Sequence, residues 1–253
     1  WTLRGPLVKS VRRSSLHEPV SRGRMPKVQA FFRSCTIVLI VSEIFGRGNV
    51  MAEIKIGRMV LGVCQTNCYF LYRDGAQEAI VVDPADKGAD IYRALQKNGF
   101  RVAGILLTHG HFDHIWGVDA LRDAANALAE AEGLDGIRVY AGEAERELLK
   151  SARLNVSAQA GRACETYADV YVKDGDEICI GDMTCKVIST PGHTAGGCCY
   201  YFEEAGILVS GDTLFAESVG RTDFPTGNMG TLVRSIRDRL FVLPEETKVY
   251  PGV

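Results

Sequence analysis

The chain has 253 residues, 46% of them apolar and 24% charged, which is enough to bury a sizeable core and unlike a disordered or coiled-coil sequence. Its net charge of −2 averages two dissimilar parts: residues 1–50 carry nine Lys/Arg against two acids, Glu18 and Glu43, a net of +7, whereas residues 51–253 hold 20 basic and 29 acidic side chains, a net of −9. An acidic body lacks the clustered cations that phosphates require, so nucleic acid is excluded as the main partner.

The first fifty residues begin with Trp1, are rich in Arg and show no sustained period. Their apolar run, Cys35 to Val41, is too short to span a bilayer. Behind Lys27 and Arg33 it could form a signal-peptide core, but no small-residue cleavage site follows. The simplest expectation makes Met51 the natural start and residues 1–50 a basic extension, disordered or non-native, with a targeting segment as the alternative. Residues 51–253 then form one domain, and no membrane contact is expected. The eight cysteines show no CxxC pairing and no small disulfide framework, which fits free thiols in a reducing cytoplasm. None of them sits in an evident His-paired setting, as a nucleophilic Cys would require.

From Met51 the pattern is regular. Cys68 to Tyr72 and Ala79 to Asp83 read as strands joined by the turn former Asp74-Gly75. Ile91 to Asn98 reads as a helix closed by Gly99. Arg101 to Leu107 is a buried-type strand, Val118 to Glu132 a helix, Ile137 to Tyr140 a strand, and Glu143 to Lys150 a helix. Short strands follow at Glu177 to Ile180, Cys185 to Ile188, Gly197 to Phe202 and Ile207 to Val209. If Gly197 to Phe202 is extended, Cys198 and Cys199 face opposite sides of a sheet. A helix over Met229 to Leu240, capped by Asn228, precedes a last strand at Lys248-Val249-Tyr250. Strands and helices alternating twice over imply an α/β fold of two halves, with their sheets packed together and helices outside.

Chemistry concentrates where strands end. Thr108-His109-Gly110-His111-Phe112-Asp113-His114 follows the strand 101–107 and holds three of the chain's five histidines. Neutral imidazoles are the commonest metal ligands, and an adjacent Asp adds an oxygen donor. The motif is too dense for one tetrahedral site, so His109 and His111 can serve one ion and Asp113 and His114 a second. Thr190-Pro191-Gly192-His193-Thr194 places the only other His of the main body after a strand. Ser210-Gly211-Asp212-Thr213 does the same for an Asp.

Asp83, the motif 108–114, His193 and Asp212, in this order and each after a strand, resemble the metallo-β-lactamase superfamily. Gln65-Thr66-Asn67-Cys68-Tyr69 and Gly220-Arg221-Thr222-Asp223-Phe224-Pro225 look like its glyoxalase II-related hydrolases. The resemblance implies a four-layer αββα sandwich, and two divalent metal ions, zinc first, with iron or manganese as options. It implies that His109, His111 and His193 bind the first metal. Asp113 and His114 would bind the second, and Asp212 would bridge both. Asp83 would orient the ligand loop, unless it merely ends its strand before Pro84. Arg221 is a candidate substrate contact or a solvated loop charge. Members of the family supply a further His after the final strand, whereas this chain reads Tyr250-Pro251-Gly252-Val253. Val253 therefore either replaces that His or marks a truncated C-terminal end, and the second site is short of one donor.

The resemblance also implies a mechanism: metal-bound hydroxide attacks a small-molecule thioester of the hydroxyacylglutathione type or a related ester, with Asp113 handling the proton. Only 41 residues follow Asp212 (253 − 212), too few for the helical glutathione-binding extension of true glyoxalase II enzymes. The alternatives are a mononuclear iron persulfide dioxygenase using His109, His193 and Asp212, and an inactive fragment.

Overall fold

The computed structural model describes residues 52–253 together with the backbone of Ile37–Leu39, all within one unit, Ser34–Val253. The remainder of the basic N-terminal segment, and the expectations placed on it, lie outside the described residues.

Two sheets dominate. The first runs in strictly sequential order through β1 (Ile37–Leu39), β2 (Ile54–Leu61), β3 (Thr66–Arg73), β4 (Glu78–Val82), β5 (Arg101–Leu107), β6 (Arg138–Gly142) and β7 (Val170–Val172). It is antiparallel up to β4 and parallel from β4 to β7. The parallel part requires crossovers, which helices supply. These are α1 (Gly88–Lys97) and α3 (Val118–Glu132), with the single turn α2 (Phe112–Ile115) just before α3. The second sheet contains β8 (Glu177–Ile180), β9 (Met183–Ser189), β10 (Cys198–Phe202), β11 (Ile207–Gly211) and β14 (Lys248–Pro251), in the order β14-β11-β10-β9-β8. A small hairpin of β12 (Leu214–Phe215) and β13 (Ser218–Val219) and the helix α5 (Met229–Ser235) lie between β11 and β14 in the sequence.

The three hydrophobic cores define the layers. One lies between the first sheet and its helices, where Phe70, Val81, Ile105, Leu107 and Val139 meet Ile91, Leu95, Leu121 and Ala125. The second lies between the sheets, where Leu71, Ile80, Val82 and Leu106 meet Cys185, Val187, Cys198, Tyr200, Phe202 and Val209. The third packs Ile188, Cys199, Tyr201 and Leu208 against Leu232, Ile236 and Leu240. Period-2 alternation does the sorting, because Ile105 and Leu107 face helices while Leu106 faces the other sheet. Cys198 and Cys199 part in the same way. Three interlayer cores mean four layers, the αββα sandwich expected from the sequence.

Several elements match their expected ranges, including β5, β8 and α3. Asn228 caps α5 by accepting the Thr231 N–H. Three helices differ from expectation, the first being α1, which starts at Gly88 and not at Ile91. Met229 to Leu240 is α-helical only to Ser235 and continues as a π-turn over Ile236–Leu240. The expected helix 143–150 begins as a 3-10 turn, Glu143–Glu145, before the short helix α4 (Arg146–Leu149). The Glu145 side chain, at the end of that turn, is 1% exposed. The strands β2, β7, β12 and β13 have no counterpart in the sequence reading. The seven cysteines among the described residues are free. None of the described helices is long and apolar enough to cross a membrane.

Arg73, at the end of β3, ties the two sheets together. Its buried guanidinium donates to the Ala52 and Asp182 carbonyls and to both carboxylate oxygens of Glu204, at 2.5–2.9 Å. Its Nε lies 3.1 Å from the Asp182 carboxylate. Hydrogen bonding from Arg73 holds the Glu204 carboxyl below its ordinary range. The pair therefore stabilises the fold fully above the ordinary Glu pKa and loses that contribution as the pH falls through the lowered one. Replacing Arg73→Met should cost about 1–3 kcal/mol, the scale of hydrogen bonds to charged groups. Thermal melts should show a smaller gap between wild type and variant at about pH 4 than at about pH 7. A gap that widens on acidification would contradict this.

Candidate metal centre

Every potential ligand lies just past the C-terminal end of a strand, where a rigid sheet holds a loop. β5 delivers the motif 108–114, β9 delivers His193 and β11 delivers Asp212. These three strands belong to two sheets, and the site exists only where the sheets face each other.

The structure brings His109, His111 and His193 together. The His193 Nε2 lies 2.9 Å from His111 Nδ1 and 3.2 Å from His109 Nε2, and all three imidazoles are buried. Ligands 2.0–2.1 Å from a tetrahedral zinc stand roughly 3.3 Å apart, so this spacing suits a cation. The second cluster gathers His114, Asp212 and Asp113. His114 Nε2 is 3.5 Å from Asp212 Oδ1 and 3.7 Å from Asp113 Oδ2. The other oxygen of Asp212, Oδ2, lies 3.6 Å from His193 Nε2. Asp212 thus presents one oxygen to each cluster. His109, His114 and Asp212 form a further set able to surround one ion.

An orphan count tests whether a cation fits. His114 Nε2 and Asp212 Oδ1 are buried and have no hydrogen-bond partner, a costly condition that a shared ion would relieve. Three of the four outward-facing nitrogens have partners, and the fourth, His111 Nε2, is buried without one. His114 Nδ1 is 2.8 Å from Asp83 Oδ2, His193 Nδ1 is 2.6 Å from the Arg221 carbonyl, and His109 Nδ1 is 3.2 Å from Thr108 Oγ1. Anchoring one ring nitrogen fixes the tautomer and aims the other.

Electrostatics separate the two clusters. Burial, reinforced by the neighbouring imidazoles, holds His109 well below its ordinary pKa and brings His111 down to about 3. Burial also lowers His193. These three are neutral, the form that binds metal. Burial opposes charge on His114 as well, but Asp113, Asp83 and Asp212 outweigh it and raise its pKa well above normal. The same attraction overrides burial at Asp212 and lowers its pKa. Without a cation, a proton on His114 balances the carboxylates around it.

Asp83 is more than a strand end. Its buried carboxylate accepts the Thr108 N–H at 2.8 Å and the Thr108 hydroxyl at 2.6 Å in addition to its contact with His114. Arg221 is placed differently from the other candidates. Its guanidinium is exposed, paired in two hydrogen bonds to Asp223 and stacked on Phe224. The Phe224 ring lies edge-on to His111.

The sequence marks the motif 65–69 only as a likeness, with no role for its residues. The Thr66 hydroxyl donates to Asp113 Oδ2 at 2.9 Å. Asn67 Nδ2 and the Tyr69 hydroxyl both donate to the Pro251 carbonyl, and Asn67 N–H donates to the Gly252 carbonyl. The segment 66–69 therefore straps β14 to the site. A Cβ at Gly252 would run into Asp212 Oδ1 and His114, so only glycine fits there. Val253, the next residue, offers no donor atom in its side chain. Replacing Asp83→Ala should weaken metal retention by the second cluster about 10–100-fold, the usual cost of losing a ligand-orienting group. Chelator competition on the full chain measures this, and unchanged retention would contradict the orienting role.

A family profile described as the metallo-beta-lactamase superfamily matches residues 61–252. The probable metallo-hydrolase YqgX of Bacillus subtilis is 36% identical over 201 residues, covering 78% of this chain and 89% of that protein. A hydroxyacylglutathione hydrolase of Brucella ovis is 32% identical over 192 residues, covering 75% and 63%. Among solved structures, BLEG-1 B3 metallo-beta-lactamase superposes with a TM-score of 0.71 at 37% identity, covering 78% of this chain and 91% of that one. TTHA1623 in a di-iron-bound form superposes with a TM-score of 0.62 at 31% identity, covering 77% and 90%.

Proposed function

Since the chain belongs to the metallo-beta-lactamase superfamily, we propose that its site is a two-cation hydrolytic centre for a thioester of the hydroxyacylglutathione type or a related ester. The observation that carries this reading is Asp212, whose two oxygens face His114 and His193 at 3.5 and 3.6 Å. His109, His111 and His193 would hold the first cation, Asp113 and His114 the second, with Asp212 between them. Divalent cations held there would supply an acidified water and a polarised carbonyl. The likeness to a hydroxyacylglutathione hydrolase supports a thioester, and the di-iron-bound TTHA1623 supports a pair of ions while leaving iron beside zinc as the metal.

The chain's own residues supply the rest. Asp83 and the Arg221 carbonyl hold His114 and His193 in place, so the ligand nitrogens need not reorganise on binding. Thr66 restrains Asp113 through Oδ2, which leaves Asp113 Oδ1 to take a proton from the attacking water. A thiolate, with an ordinary thiol pKa near 8.5, departs without a dedicated acid. The Arg221 charge is close enough to help depress His111, and Arg221, on Phe224, would have to exchange its Asp223 partner for an anionic substrate.

The purified chain should retain two divalent ions and hydrolyse S-(2-hydroxyacyl)glutathione, and exhaustive chelation should abolish that activity. Replacing Asp113→Asn should lower kcat by about 10²–10⁴-fold, the range for a positioned acid or base. Replacing Arg221→Ala should raise KM with little change in kcat. One bound iron per chain, with oxygen consumed in the presence of glutathione persulfide, would replace this reading with the dioxygenase one.

A further inference from the structure

Glu145 is a buried carboxylate that the proposed reaction does not use. It comes from the 3-10 turn after β6 and is 1% exposed. Among the described residues it forms no ion pair. Instead, its Oε2 accepts the Gly110 N–H at 2.7 Å, and its Oε1 accepts the Thr194 hydroxyl at 2.7 Å and the Gly196 N–H at 2.8 Å. Burial pushes its pKa up and these three donors oppose the shift.

The positions of the donors matter more than their number. Gly110 lies between His109 and His111, so one hydrogen bond fixes the peptide whose two neighbours carry ligand rings. Thr194 follows His193 directly. One carboxylate therefore spans the loop from the first sheet and the loop from the second. The approach is close: a Cβ at Gly196 would collide with the Glu145 backbone nitrogen, and a Cβ at Gly110 would stand 3.0 Å from Oε2. An apolar side chain of similar volume would leave the Gly110 N–H, the Thr194 hydroxyl and the Gly196 N–H without an acceptor, a cost the carboxylate avoids.

We propose that Glu145 is a positioning residue that locks the His109–His111 loop and the His193 loop in ligating register, and so sets the affinity of the first metal site. This rests on the reading that His109, His111 and His193 hold a cation. Packing cannot substitute for the carboxylate, because only an acceptor with two oxygens satisfies donors arriving from both sheets. Gln keeps one oxygen for Thr194 and Gly196 but turns an N–H₂ toward Gly110 N–H, so it releases the His109–His111 side.

The test uses the full chain loaded with Co(II), with affinity read by chelator competition and geometry by the visible d–d spectrum. Glu145→Gln should weaken binding about 10–100-fold and change the spectrum. Thr194→Val removes one donor and keeps the carboxylate. It should also weaken binding, by less, and it serves if Glu145→Gln does not fold. His111→Ala is the control for the ligand set. If His111→Ala abolishes tight binding while folded Glu145→Gln and Thr194→Val match wild type in affinity and spectrum, the positioning role is overturned and the ligand reading stands. If His111→Ala also binds Co(II) like wild type, the ligand reading itself falls, and the proposal with it.

Discussion

The interior of this protein gathers four imidazoles and the carboxylates of Asp83, Asp113, Asp212 and Glu145, and among the described residues no Lys or Arg pairs with any of these acids. Such a collection is expensive to bury unless hydrogen bonds or cations compensate it. Asp83 and Glu145 are compensated by donors from loops. Asp212 and His114 each keep an atom with no partner, as does His111 at the nitrogen turned away from His193. The rest of the site follows from that difference: satisfied acids hold the loops, and the unpartnered atoms of Asp212 and His114 face the space where divalent charge would sit.

The layered fold makes this arrangement possible. β5 belongs to one sheet, and β9 and β11 belong to the other. Their ends converge because alternating apolar residues fill the core between the sheets, with Leu106 on one side and Tyr200 and Val209 on the other. The Tyr200 hydroxyl donates to the Leu107 carbonyl at 2.8 Å, which joins the sheets one residue before the His-rich motif begins. The loops can then be short and polar, since the geometry is set by the strands beneath them.

The residues that the structure gathers into the two clusters were legible in the sequence because their signal is local. Three histidines and an aspartate within 108–114, each after a buried-type strand, need no knowledge of the fold. The helix α3 and the opposite facing of Cys198 and Cys199 were legible for the same reason, as hydrophobic period and residue spacing determine them. Glu145 was not, since nothing in Ala144-Glu145-Arg146 distinguishes it from an exposed helical acid until the turn buries it. The backbone carbonyl of Arg221 carries no residue identity at all. The strand β2 mixes Lys55, Gly57 and Arg58 with its apolar positions, and its pairing with β3, more than its composition, makes it a strand.

The central claim is that two cations share Asp212. Crystals grown with zinc, measured at the metal's absorption edge, test it directly. Two anomalous peaks roughly 3.5–4 Å apart, one among His109, His111 and His193 and one beside His114 and Asp113, with Asp212 between them, are the expected result. A single peak, or peaks away from Asp212, would contradict it.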